Sequence, residues 1–144
     1  DIFKFKYKSK NISIVDESYN SNPLSLKFAI NNFDKLNIDY KNKYILLGDM
    51  LELGGSSQML HNKAVKELNR SKTQKIYVFG KYMSKAFNKI KTQKRGKILK
   101  SKKDITDLIK NKLKNNDYLM VKASNGTGIF NMISKLKSKG INAL

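Results

Sequence analysis

The sequence has no cysteine, one histidine and one proline, and it contains no long apolar run. The absence of cysteine excludes a disulfide framework and any thiolate metal site, and it agrees with a reducing compartment. No apolar stretch approaches the ~20 residues that a membrane-spanning helix needs. The first ten residues, DIFKFKYKSK, lack the apolar centre of a secretory signal. We therefore expect a cytoplasmic protein with no membrane span.

Acidic residues are also scarce, since eleven stand against thirty basic ones and the net charge is +19. Such an excess would suit phosphate binding, so a basic nucleic-acid-binding module is one hypothesis. However, only Arg70 and Arg95 are arginines, whereas readout of base edges favours the arginine fork. The lysines are also spread along the whole chain. We favour a solvated basic surface over nucleic-acid binding.

What the chain does have is an alternation of short apolar runs and longer helical patterns. Its 144 residues are enough for one domain with one core. The patterns predict strands and helices in alternation. The predicted strands are 11–16, 43–47, 75–79, 97–99 and 118–121, and the predicted helices are 22–36, 57–70, 81–90, 104–113 and 128–139.

This alternation predicts an α/β fold, a three-layer Rossmann-like domain with a mainly parallel sheet and helices on both faces. Ligands of such sheets bind outside the carboxyl ends of the strands, where loops lead into helices. Four loops occupy such places, and they are 16–23, 48–55, 80–82 and 122–128.

Three of these loops contain dense polar motifs. The first motif, DESYNSNP at 16–23, joins a strand to a helix that Asn22 and Pro23 can begin. Its side chains could grip a polar ligand, or they could only cap the helix. The second motif, LGDMLELG at 47–54, places Asp49 near the same edge. The third motif, VKASNGTG at 121–128, offers a glycine- and serine-containing anion cradle beside Lys122, although the order GxxxxGK[ST] is absent.

The three motifs, in this order and each at the end of a predicted strand, resemble those of the C-terminal domain of Mur ligases, closest to the MurF branch. The resemblance covers nearly the whole chain, and its most specific part is the Tyr-Asn-x-Asn-Pro form of residues 19–23. Three positions depart from the motifs. Glu17 replaces an aspartate, Ala123 a glycine and Asn125 an arginine, so an arginine contact to a carboxylate or phosphate would be missing.

The resemblance implies an ATP-dependent ligase that joins D-alanyl-D-alanine to the UDP-MurNAc-tripeptide precursor of peptidoglycan through an acyl phosphate. The N-terminal domain and the central ATPase domain, with the P-loop, the Mg²⁺ ligands and the catalytic residues, would lie outside residues 1–144. The isolated chain is then expected to be inactive. Another Mur or folylpolyglutamate-type ligase is the nearer alternative, and the nucleic-acid-binding module is the more distant one.

On this resemblance we predict two groups of binding residues and no metal ligand in the chain. The nucleotide side comprises Asp16, Glu17, Tyr19, Asn20 and Asn22. The dipeptide side comprises Asp49, Lys122 and Ser124. Outside these groups, His61 is predicted to have a structural, hydrogen-bonding role. Three aromatic residues are predicted to pack in the core, and they are Tyr77, Phe79 and Tyr82.

Overall fold

Six strands form one sheet in the computed structural model, which describes residues 1–141 and 144. The spatial order is β1-β2-β6-β3-β4-β5. The strand β1 runs antiparallel to β2, and every other neighbouring pair is parallel. The strands are β1 (Ile2–Tyr7), β2 (Lys10–Glu17), β3 (Lys43–Gly48), β4 (Lys75–Phe79), β5 (Arg95–Leu99) and β6 (Tyr118–Lys122).

Helices follow five of the strands and return the chain to the other end of the sheet. Within residues 1–141 and 144, none is long and apolar enough to cross a membrane. The α-helices are α1 (Pro23–Asp34), α2 (Ser57–Arg70), α3 (Lys81–Ala86), α4 (Lys102–Asp107) and α5 (Ile129–Lys139). A π-helical turn, Leu108–Lys112, continues α4, and short 3₁₀ turns lie at Tyr40–Asn42, Gly54–Ser56, Phe87–Lys89, Thr92–Lys94 and Asn125–Thr127.

The two faces of the sheet build two apolar cores. Alternation along β3 shows the division, because Ile45 and Leu47 pack under α1, α2 and α3 while Leu46 packs under α4 and α5. All three side chains are fully buried. The three-layer, mainly parallel α/β fold predicted from the sequence is therefore confirmed.

The strand β1 is the main element that the sequence patterns did not predict. It pairs with β2 as a hairpin whose turn places Lys8 at a φ of 54°. Phe3, Phe5 and Tyr7 alternate with lysines and pack against the core from the edge of the sheet. Alternation with a period of two is typical of an edge strand whose lysines face solvent.

The predicted helices differ from the observed ones mainly at their ends. The helix 57–70 and the strand 75–79 agree with the structure residue for residue. By contrast, α3 ends at Ala86 and passes into a 3₁₀ turn, and the helix predicted to begin at Asp104 begins at Lys102.

A buried lysine closes the end of α1. The ammonium of Lys43 donates hydrogen bonds to the main-chain oxygens of Phe33, Asp34 and Leu36, at 2.9, 3.1 and 2.9 Å. The main-chain oxygens of Phe33 and Leu36 also accept hydrogen bonds from the amides of Leu36 and Ile38. The lysine therefore adds a donor to each acceptor and fixes the turn in which α1 ends. Lys43 is 2% exposed, and burial lowers the pKa of its ammonium.

Candidate functional site

The carboxyl ends of β2, β3 and β6 bring the three motifs together, and Ser124 joins them. Its hydroxyl accepts a hydrogen bond from the Leu51 amide at 2.9 Å and donates one to the main-chain oxygen of Ser21 at 3.3 Å. Its own amide donates to the main-chain oxygen of Asp49 at 3.3 Å. Ser124 therefore positions the loops, and a ligand contact of its hydroxyl stays a prediction.

An open cavity of about 350 Å³ lies where β2 and β6 end. Four of the five residues predicted on the nucleotide side line it. The structure also brings Lys122, predicted on the dipeptide side, into this cavity, because parallel pairing places it beside Glu17. The lining residues are Asp1, Asp16, Glu17, Tyr19, Asn20, Ser25, Lys122 and Phe130.

Lys122 brings a positively charged side chain to this cavity. It is 3% exposed, and its ammonium donates a hydrogen bond to the main-chain oxygen of Asn20. Burial lowers the pKa of the ammonium, and the nearby Glu17 carboxylate partly opposes that shift. The hydrogen bond ties the first motif to β6, so the acidic and amide side chains are held around a fixed charge.

The remaining walls combine a carboxylate turn and an aromatic pair. The Asp16 carboxylate accepts hydrogen bonds from the amide of Ser18, at 3.0 Å, and from its hydroxyl. Tyr19 is 62% exposed, and its ring meets the Phe130 ring edge to face at 5.0 Å. Sequence reasoning missed Phe130. The sequence signal for Phe130 was an aromatic residue in the first turn of the last helix, outside the set of residues that face the core.

Asn22 has a local role that the sequence also suggested. Its side-chain oxygen accepts from the Ser25 amide at 2.9 Å, and the Ser25 hydroxyl accepts from the Asn22 amide at 3.0 Å. This reciprocal pair is a capping box at the start of α1. The interpretation as a cap is confirmed, and a nucleotide contact of Asn22 remains a prediction.

The second motif is turned inward at Asp49, which is 5% exposed. Its two carboxylate oxygens accept hydrogen bonds from the amides of Tyr82, at 3.1 Å, and Met83, at 2.8 Å. These amides begin α3, which starts after Gly80 at a φ of 114°. A Cβ at Gly80 would lie 2.5 Å from the Asp49 Cγ, so glycine is required there. Asp49 therefore holds the start of α3, and a ligand contact of its carboxylate stays a prediction.

His61 completes this inward cluster and is fully buried. Its Nε2 accepts from the Met50 amide at 2.9 Å, and its Nδ1 lies 2.6 Å from the Ser57 oxygen. A carbonyl only accepts and an amide N–H only donates, so these bonds require the neutral ring protonated at Nδ1. The 4.0 Å approach of Nε2 to Asp49 is therefore not an ion pair. The structural role predicted for His61 is confirmed.

The predicted core aromatics lie at the margins of the core. Tyr77 and Phe79 are half-buried and pack against the α4–α5 side. Tyr82 stacks on His61 with ring centroids 5.0 Å apart. Each ring therefore has a packing partner within the chain.

Besides Glu17, which lines the cavity, the two departures in the third motif lie in different environments. Ala123 is fully buried, and a Cβ at Gly48 would lie 2.9 Å from the Ala123 Cβ. Gly48 therefore leaves the space that Ala123 occupies, and the core accepts the extra methyl group. Asn125 is exposed at the tip of the third motif. Residues 1–141 and 144 contain no group of three or more histidine or acidic side chains that could hold a metal ion.

Comparison with known proteins gives a family match over most of the chain. Residues 3–125 match the family described as Mur ligase, glutamate ligase domain. The chain is 28% identical over 128 residues to the UDP-N-acetylmuramoyl-tripeptide–D-alanyl-D-alanine ligase of Bacillus subtilis, covering 87% of this chain and 28% of that one. It is 32% identical over 128 residues to the ligase of the same name from Buchnera aphidicola, covering 88% and 27%.

Among solved structures, the chain is similar to the MurF ligase of Thermotoga maritima in complex with ADP. The TM-score is 0.68 and the identity 26%, over 96% of this chain and 30% of that one. The chain thus spans less than a third of the length of each of these relatives.

Proposed function

The chain belongs to the Mur ligase family, and on that premise we propose that it is the C-terminal domain of an ATP-dependent ligase. That ligase joins D-alanyl-D-alanine to UDP-MurNAc-tripeptide through an acyl phosphate. The proposal includes two further domains outside these 144 residues, a substrate-binding domain and a central ATPase domain. It also includes a cytoplasmic location. Support comes from the relatives named as this ligase and from the ADP complex of a structural neighbour.

The observation that carries the proposal is the cavity at the ends of β2 and β6. Its residues suit the polar part of a nucleotide. Asp16 and Glu17 offer acceptors for ribose hydroxyls, Lys122 offers a fixed positive charge, and Tyr19 offers an exposed ring. The cavity of about 350 Å³ is open, so this domain would cover one end of the nucleotide while another domain holds the rest.

ATP, when bound, would supply the phosphoryl group that activates the precursor carboxylate. The residues of this chain would then bind and orient the substrates. The inward cluster of Asp49 and His61 would keep the second motif in place, because the third motif rests against that loop through Ser124. Closing this loop edge over the reacting groups would exclude water and align the amine of the dipeptide. The Mg²⁺ ligands would belong to the central domain.

The family match and the named relatives favour a ligase over a basic nucleic-acid-binding module. The names of those relatives, together with the Tyr-Asn-x-Asn-Pro form of residues 19–23, favour D-alanyl-D-alanine over another amino acid.

The test is phosphate release by the full-length protein in the presence of ATP, Mg²⁺ and UDP-MurNAc-tripeptide. We expect release that depends on D-alanyl-D-alanine. Glu17→Gln should raise the KM for ATP, whereas the control Glu67→Gln on α2 should not. Release that depends on glutamate or on a single amino acid instead would assign the chain to another ligase of the family. The absence of any release, combined with tight nucleic-acid binding at physiological salt, would overturn the ligase proposal.

A further inference from the structure

The third motif contains an asparagine followed by a glycine, Asn125 and Gly126, and every other asparagine of the sequence precedes a residue that carries a side chain. Both residues of the pair are exposed. Asparagine is chemically labile, because the main-chain nitrogen of the next residue can attack its side-chain amide. The side chain of that next residue hinders the attack. Since Gly126 has none, the pair combines solvent access with the least hindrance.

The hydrogen bonds around this pair leave both reacting groups free. The Thr127 amide donates to the Ser124 oxygen at 3.0 Å. The Gly128 amide donates to the Asn125 oxygen at 3.2 Å. Within the described residues, neither the Gly126 amide nor the Asn125 side chain forms a hydrogen bond. An amide N–H that makes no such bond loses its proton to base more easily than a bonded one.

The main chain at this pair can also rotate locally. In the 3₁₀ turn Asn125–Thr127 the Gly126 nitrogen points away from the Asn125 side-chain carbon, so the attack needs a rotation between the two residues. That rotation opens one isolated turn and no part of a long helix. Gly128, at a φ of 82°, separates this turn from α5. The helix can therefore stay folded while the turn opens.

We propose that Asn125 and Gly126 form a site of spontaneous deamidation, which converts Asn125 into aspartate and isoaspartate. Hydroxide removes the proton of the Gly126 amide, and the nitrogen attacks the side-chain Cγ of Asn125. The bond from Cγ to the side-chain nitrogen breaks, and ammonia leaves after taking a proton from water. Water then opens the cyclic imide at either of its two carbonyl groups and leaves a carboxylic acid, which releases a proton. This inference goes beyond the proposed function and does not depend on it.

The reaction would change both the charge and the main chain of the third motif. Residues 123–128 contain no charged side chain, so the product brings the first carboxylate to the loop. A cation is close, because the Nζ of Lys102 lies 3.1 Å from the point where a Cβ on Gly128 would stand. Isoaspartate also inserts a methylene group into the main chain next to Ser124, whose hydroxyl joins the three motifs. Aged chains would therefore differ from new ones at the edge where the motifs meet.

The test follows the folded 144-residue chain during incubation at neutral and at alkaline pH, by mass spectrometry of its peptides. We expect residue 125 to gain one mass unit first, and faster at higher pH because base generates the nucleophile. Asn20 is the internal control, since it is also exposed but precedes Ser21. Labelling by an isoaspartyl methyltransferase should detect isoaspartate at residue 125, which direct hydrolysis of the side-chain amide does not form.

A matched pair of variants tests the route of the attack. Gly126→Ala should slow the reaction, because its methyl group hinders the nitrogen, whereas Gly55→Ala should leave the rate unchanged. A Cβ at Gly126 would lie 2.7 Å from the Cδ1 of Leu51, which is the end of an exposed side chain that can turn away. A Cβ at Gly55 would have no neighbour within 4 Å. Circular dichroism checks that both variants fold.

Reaction at residue 125 no faster than at Asn20 would overturn the proposal. Reaction in urea but not in the folded chain would also overturn it, because the turn would then protect the pair. Aspartate without isoaspartate, or an unchanged rate in folded Gly126→Ala, would exclude attack by the main-chain nitrogen and overturn it as well.

Discussion

Two clusters at the same edge of the sheet use similar residues in opposite ways. In the first, around Lys122, polar side chains line an open cavity, and Tyr19 is 62% exposed. In the second, the carboxylate of Asp49 and both ring nitrogens of His61 form hydrogen bonds with main-chain groups, and His61 is fully buried. The difference shows that a motif at a strand end can either line an open cavity or hold a loop. Burial and hydrogen bonding decide which of the two applies.

The largest effect is expected where the inward cluster is broken. Asp49→Ala leaves the amides of Tyr82 and Met83 without acceptors in a buried place, and it should lower the free energy of unfolding by about 3 kcal/mol. Urea denaturation measures this loss. The control is Asp39→Ala, which removes an exposed carboxylate that accepts one amide hydrogen bond from Lys41 at 3.0 Å. Similar losses in the two variants would contradict a supporting role for Asp49.

A medium effect is expected at Asn22, which belongs to the outward motif but caps a helix. Asn22→Ala should cost about 1 kcal/mol of stability, and Asn22→Ser should recover most of it. Thermal or urea unfolding provides the measurement. Ligation by the full-length protein then sharpens the comparison. If Asn22→Ser restores stability but not ligation, the amide side chain of Asn22 contacts a substrate.

A smaller effect, confined to alkaline solution, is expected at Lys122. Burial lowers the pKa of its ammonium in the folded chain, so between that lowered pKa and 10.5 the unfolded chain holds more protons than the native one. This contribution makes stability rise with pH across that window. In Lys122→Met the rise should be weaker than in the unmodified chain. Urea unfolding at several alkaline pH values, with the exposed Lys135→Met as control, tests this difference. An unchanged slope would mean that Lys122 is solvated.

The smallest effect on stability is expected at Asn20. Its side chain is exposed, and the hydrogen bond to Lys122 uses the main-chain oxygen, which a substitution retains. Asn20→Ala should change stability by less than about 0.5 kcal/mol. It should still lower kcat/KM for ligation roughly tenfold, as the loss of one substrate hydrogen bond would. The control is the exposed Asn32→Ala on α1. Full activity of Asn20→Ala would remove Asn20 from the predicted nucleotide side.

The sequence predicted most of the fold because its signals were local. The Asn22–Pro23 pair begins α1, and the spacing of Leu60, Ala64 and Leu68 marks one face of α2. The hairpin strand β1 was missed because its alternation is carried by lysines as much as by aromatics. The π-helical turn Leu108–Lys112 was missed because apolar spacing alone does not distinguish an α-helical continuation from a wider turn.

The site was predictable as a place but not as a set of contacts. Rules for strand ends brought all three motifs to one edge, and the structure confirms that edge. What the sequence could not reveal depends on partners distant in the chain. Asp49 meets amides 33 and 34 residues away, and Lys122 meets the Asn20 oxygen 102 residues away. Whether a polar atom is free for a ligand follows from such distant bonds.

The triple hydrogen bond of Lys43 also gives this lysine-rich chain an internal reporter. An acylating reagent needs an accessible, deprotonated amine, and exposed lysines along the surface meet the first condition. Lys43 is enclosed by three carbonyls and can react only when the end of α1 separates from β3. Its labelling would therefore follow the opening of that helix end, while labelling elsewhere would follow only the time of exposure to the reagent.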